Sequence, residues 1–169
     1  MRNIGETKPV RTRIIKEKNN IMKYTTGEIG RVVVAKIEDG DDLLGNLCAI
    51  VKKEKILSGV VFLIGALNKN KLVCGPLQGS AVPPLPFWRN FSGLAEIIGT
   101  GTIFRAKGEP NIHLHISTGR GDKTLVGCLR NKSKVSLIVE AVIMEIKGVK
   151  ACRKLDPKTG LTLLDTGRS

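Results

Sequence analysis

The chain has 169 residues, 41% hydrophobic and 25% charged, the size and balance of one soluble domain that buries its own core. A disordered chain is excluded, and with only 4% aromatics the core must be chiefly aliphatic. The formal charge of +13 gathers at the ends: Met1–Lys23 has seven basic and two acidic residues, and Lys147–Ser169 has six and two. Such ends attract phosphate backbones or anionic surfaces, and a solvated basic tail looks the same with no partner at all.

Residues 1–23 lack an apolar stretch of the kind that opens a secretory signal. They read as a basic arm without clean periodicity, able to lay a strand on a neighbour, ahead of a domain over 24–169. The longest apolar run, Gly59–Leu67, is too short for a bilayer, which needs about 20 residues. A cytoplasmic protein with no membrane contact is expected. There Cys48, Cys74, Cys128 and Cys152 stay reduced.

Arg31–Ile37 is a β-branched run and predicts a strand. Asp41 then offers a cap for a helix carrying Leu43, Leu44, Leu47, Ile50 and Val51 at helical spacing to about Lys53, with Cys48 a small buried hydrophobe on its apolar face. Ser58–Ala66 is continuously apolar between glycines, as in a strand buried on both faces. Lys71–Cys74 predicts a short strand. Gly75–Asn90, with four prolines and two glycines, predicts a long loop that is either functional or pinned by Leu85, Phe87 and Trp88. Strands follow at Leu94–Thr100, Thr102–Lys107, Asn111–Thr118, Lys123–Leu129 and Ser136–Ile146, with an edge strand at Leu161–Asp165. The second half is therefore mostly sheet, with one helix ahead of it and no second domain boundary.

The only two histidines form His113-Leu114-His115 inside an alternating stretch. On a strand, residues i and i+2 share a face about 6.5 to 7 Å apart. The STGRGDK segment predicts a hairpin. With Arg120-Gly121 as its two-residue turn, Gly119 pairs with Asp122 and Cys128 falls opposite His113, so His113, His115 and Cys128 converge. Two imidazoles and a thiolate suit one zinc ion per chain, with a fourth position left for water or substrate. A one-residue slip would turn Cys128 to the other face, leaving two half-exposed histidines and a packing cysteine.

With these residues in place, the chain resembles the plants-and-prokaryotes-conserved (PPC) domain family from about Gly30 to Ile146. GDDLLGNL, SGVVFLIGAL, GLAEIIGTGTI, NIHLHIST and LVGCL occur in the family's order. In many prokaryotic members the last segment reads GGHL, whose histidine aligns with Cys128 if the hairpin is one residue shorter. The resemblance thus implies metal ligands at His113, His115 and Cys128, with cysteine replacing the third histidine. It further implies a single α/β (α+β) domain whose strongly bent, mostly antiparallel sheet is similar in fold to acetolactate decarboxylase, a homotrimer, and the stand-alone prokaryotic type, called DNA-binding by analogy. The plant GRFEIL segment, which recruits partners, corresponds to Gly93–Ile98; Gly93, Glu96 and Ile97 are kept and the Arg and Phe are not. The Arg-Gly-Arg-Pro core of a minor-groove hook is absent.

Three functions fit these observations. The first is a trimeric zinc-bearing binding module, a DNA-associated regulator. The second is a zinc-dependent lyase or hydrolase, in which Glu96 or Glu140, read as lying on neighbouring strands, moves protons; a salt bridge at the core edge explains these glutamates equally well. The third is a domain in which the ion only clamps the hairpin.

Overall fold

The computed structural model describes residues 12–17, 20–79 and 81–167. Strands β1 (Thr12–Glu17) and β2 (Asn20–Thr25) pair as a separate two-stranded sheet. The basic arm shows no clean periodicity in sequence, yet it contributes this strand pair, and β2 runs across the 23/24 boundary; residues 1–11, 18 and 19 of the arm lie outside the described residues.

The main sheet contains β3 (Glu28–Glu38), β4 (Ser58–Pro76), β5 (Pro86–Ala106), β6 (Glu109–Arg120), β7 (Lys123–Leu129), β8 (Lys134–Lys147), β9 (Cys152–Leu155) and β10 (Thr162–Asp165). Their order is β10-β9-β5-β6-β7-β4-β8-β3, and β4 also pairs with β5. All neighbours are antiparallel except β5 and β9. The first half of β4 pairs with β8, while Leu72 and Val73 in its second half pair with Leu129 and Cys128 of β7. The sheet therefore bends until β4, β5, β6 and β7 close on one another.

Glycine makes this closure possible. A Cβ on Gly127 would lie 2.6 Å from the Val73 carbonyl oxygen, and one on Gly99 would lie 2.8 Å from Ile116 and Leu63. At Gly65 the backbone has φ +142 and a Cβ would strike Ile138 and Val139. There the β4–β8 register shifts, and Leu137 takes φ 62. Gly99 and Gly101 do not divide β5, which is one strand of 21 residues. Likewise β4 is a single strand through Lys71–Cys74, and the expected 75–90 loop narrows to the segment between Pro76 and Pro86.

Inside the bend, Val61, Leu63, Ile103, Leu114, Ile116, Leu129 and Ile143 form the core with the single helix among the described residues, α1 (Leu43–Lys53). Its stripe of Leu43, Leu47 and Val51 is fully buried. Asp42, not Asp41, is the N-cap: one carboxylate oxygen accepts from the Gly45 N–H and the other from the Ser133 N–H, each at 2.9 Å. That bond ties the helix start to the approach to β8. Cys48 is exposed rather than buried, because one residue beyond Leu47 turns it about 100° off the stripe.

Ser58–Ala66 is not buried on both faces. Phe62 (47% exposed) and Ile64 (56%) point outward, in register with Val142 and Ile98, and Ile98 is 71% exposed. Among the described residues no helix is long and apolar enough to cross a membrane.

The close approach at Gly127 predicts that Gly127→Ala destabilises the domain by about 1 to 3 kcal/mol, since the added methyl meets backbone that cannot swing aside. Gly79→Ala, where a Cβ meets nothing within 4 Å, should stay within about 0.5 kcal/mol of the parent. Denaturant unfolding of both variants checks this; equal stabilities would contradict the closure.

Candidate metal centre

β6 and β7 form the predicted hairpin with a different turn. Arg120 pairs with Lys123, so Gly121 and Asp122 make the turn and Gly121 takes φ +61. Glycine is needed at the first turn position, where the backbone is left-handed, and the expected Arg120-Gly121 turn placed it second. Cys128 is therefore opposite His115, not His113. Moving the turn by one residue moves each partner by two, and alternation has a period of two, so Cys128 keeps the face that His113 and His115 occupy.

Leu114, between the histidines, is buried in the core and anchors β6. Outside, the two Nε2 atoms lie 3.1 Å apart, with the rings edge to face and their centroids 4.8 Å apart. The ligand atoms of His113, His115 and Cys128 all lie within 4.8 Å of one another. Zinc bonds of about 2.0 to 2.1 Å to nitrogen at tetrahedral angles require nitrogens about 3.3 Å apart, close to the histidine pair's separation. Cys128 is buried and both histidines are exposed, leaving the outer side of the cluster open.

Two arginines and a threonine border the cluster. Arg130 Nε–H donates to Cys128 Sγ at 3.5 Å. Arg153 of β9 donates from Nη2 to Thr102 Oγ1 at 2.7 Å, and Thr102 pairs directly with His113. Partial desolvation of a ring whose outer side stays exposed, then the charges of Arg153, His115 and Arg130, hold the His113 imidazole below its ordinary 6.5. Its neutral form, the one that binds metal, is thereby favoured at neutral pH. Burial also pulls Arg153 below its ordinary value, while Cys128 pushes the other way.

Glu96 and Glu140 are not brought to the cluster, nor are they on neighbouring strands: Glu96 is on β5 and Glu140 on β8, with β4 between. Both are exposed. Glu96 stands four residues from Thr100, which pairs with His115, or about 13 Å along the strand. Of the other residues in the 93–98 segment, Gly93 takes φ +84 and Ile97 is buried in the core.

Arg130 was within reach of the sequence, as the residue two beyond Cys128. Arg153 carried no signal, because its place depends on β9 running parallel to β5.

Residues 24–147 match the Plants and Prokaryotes Conserved (PCC) domain. Among solved structures the chain is similar to a metal-containing protein from Archaeoglobus fulgidus, with TM-score 0.74 and 20% identity over 84% of this chain and 98% of that one. A plant- and prokaryote-conserved protein from Pyrococcus horikoshii has TM-score 0.72 and 25% identity, covering 85% and 97%. A protein from Bacteroides thetaiotaomicron, provisionally named DNA-binding, has TM-score 0.70 and 26% identity, covering 84% and 99%. No curated protein matches the sequence.

With its folded pKa depressed, His113 contributes stability above pH 6.5 that is lost as pH falls below the ordinary histidine value. Proton NMR of the metal-free protein should show its ring titrating below 6.5, and Arg153→Gln should raise that midpoint by removing a nearby positive charge. His115→Asn assigns the two resonances. A His113 midpoint at or above 6.5 would contradict the described environment.

Proposed function

The chain belongs to the Plants and Prokaryotes Conserved domain family, and from that premise we propose that it is a homotrimeric binding module holding one zinc ion at His113, His115 and Cys128. The observation that carries this reading is the clustering of two imidazoles and one thiol on one face of a single hairpin. Nitrogen and sulfur donors in that number suit zinc at a site with a fourth position uncovered. The bound ion would supply Lewis acidity there. Leu114 holds the two histidines to the core, the β7 backbone fixes Cys128 across from His115, and the environment of His113 keeps its lone pair available. A reducing cytoplasm keeps the thiol free to ligate.

Trimer formation is supported by the outer face. Ile64, Ile98 and Val126 lie in one register row through Ser117, and Val126 is 62% exposed. A row so apolar, on strands whose composition suits burial on both sides, is a contact surface for further copies of the chain. Association with nucleic acid is supported by the net charge of +13 and by the name of the Bacteroides relative. It would act through phosphate attraction, since α1 packs its apolar stripe into the core and reads no groove. A zinc-dependent lyase or hydrolase is the second reading, favoured by the guanidinium groups of Arg130 and Arg153 beside the cluster.

Elemental analysis of untagged protein purified without chelators should find about one zinc per chain, falling several-fold in Cys128→Ser. Light scattering should give three times the 18.3 kDa chain mass, and Ile98→Glu should break the assembly. Metal-free parent protein would overturn the zinc reading, and a monomeric parent would overturn the trimer.

A further inference from the structure

We infer that Arg153 and Arg130 form an oxyanion subsite beside the His113/His115/Cys128 cluster, and that it takes the carboxylate of a small organic acid. This rests on the metal reading above.

Arg153 pairs through its backbone with Ala106, yet its side chain runs back along β5, past the Phe104 ring at 5.9 Å, to reach Thr102. The guanidinium is thereby fixed next to His113. Arg130 stands beside Cys128, with its Nε–H on the sulfur. The ion pairs among the described residues involve neither arginine, and Arg153 Nε is buried with no acceptor. A partly buried guanidinium is ordinarily matched by a carboxylate.

A divalent ion held by a single thiolate would add a further positive charge to a site that already carries two, so an anion is needed to balance it. Zinc accepts carboxylate oxygen, and a guanidinium matches a carboxylate's planar pair of oxygens. One carboxylate can thus place one oxygen at the uncovered metal position and turn the other to Arg153. No carboxylate of the described residues joins the cluster, so among them nothing fills the place that an incoming carboxylate would take.

The test uses the full chain loaded with cobalt(II), whose visible bands report changes at the metal. Acetate should shift the bands saturably, and neutral acetamide should not. Arg153→Gln should weaken apparent acetate affinity about tenfold or more with cobalt content unchanged, and Arg153→Lys should recover part of it. Loaded protein blind to acetate, a response to inorganic phosphate alone, or equal acetate affinity in Arg153→Gln would overturn the subsite. So would dissociation of the assembly in Arg153→Gln, which would make its counter-ion a carboxylate from a second copy.

A parallel arm measures melting of the metal-free protein in acetate against chloride. Arg153-dependent stabilisation by acetate supports the subsite, and its absence from both arms sinks it. Failure to take up cobalt sinks the metal reading alone, and the subsite is then decided by the metal-free arm.

Discussion

The Val73 carbonyl oxygen lies 2.6 Å from where a side chain on Gly127 would begin, and the candidate site depends on that close approach. It lets β7, still paired with β6, come to rest against the far half of β4 as well, turning a bent sheet into a closed group of four strands. Cys128, the next residue, pairs with His115 on one side and Val73 on the other. The sulfur is therefore held from two strands, inside a wall that also buries it. The histidines are held differently, by Leu114 reaching inward between them. The two devices place three donor atoms together without a loop, and sites built on strands keep their geometry better than sites built on loops.

The same face carries both the cluster and the apolar row. Phe62 of β4 pairs with Thr100, and Thr100 pairs with His115, so the exposed phenylalanine stands two strands from the site. A copy of the chain seated on Ile64, Ile98 and Val126 would border the open side of the cluster. Assembly would then help to define what can approach the fourth metal position, and the arginines would set its charge.

Much of this arrangement was legible in the sequence because it rests on alternation. His-x-His on a strand shares a face whatever the neighbours do, and Cys128 kept its face although the turn lay one residue from its expected place. The family shown by residues 24–147 and the bent α+β sheet also followed from motif order. The length of β4 and β5 did not, because glycine reads locally as a break while here it supplies room on the inner face. The openness of Phe62 and Ile64 was hidden for a related reason: apolar composition does not say which face of a strand its own chain covers. Arg153 was out of reach altogether, since a parallel pairing between β5 and β9 leaves no periodic trace.

X-ray absorption at the zinc edge of the isolated protein tests the central claim most directly. The account predicts one sulfur at about 2.3 Å and two imidazole nitrogens at about 2.0 to 2.1 Å, with a light atom completing four-coordination. A shell of oxygen and nitrogen alone, with no sulfur, would show that Cys128 is not a ligand and that the hairpin does not form the site described.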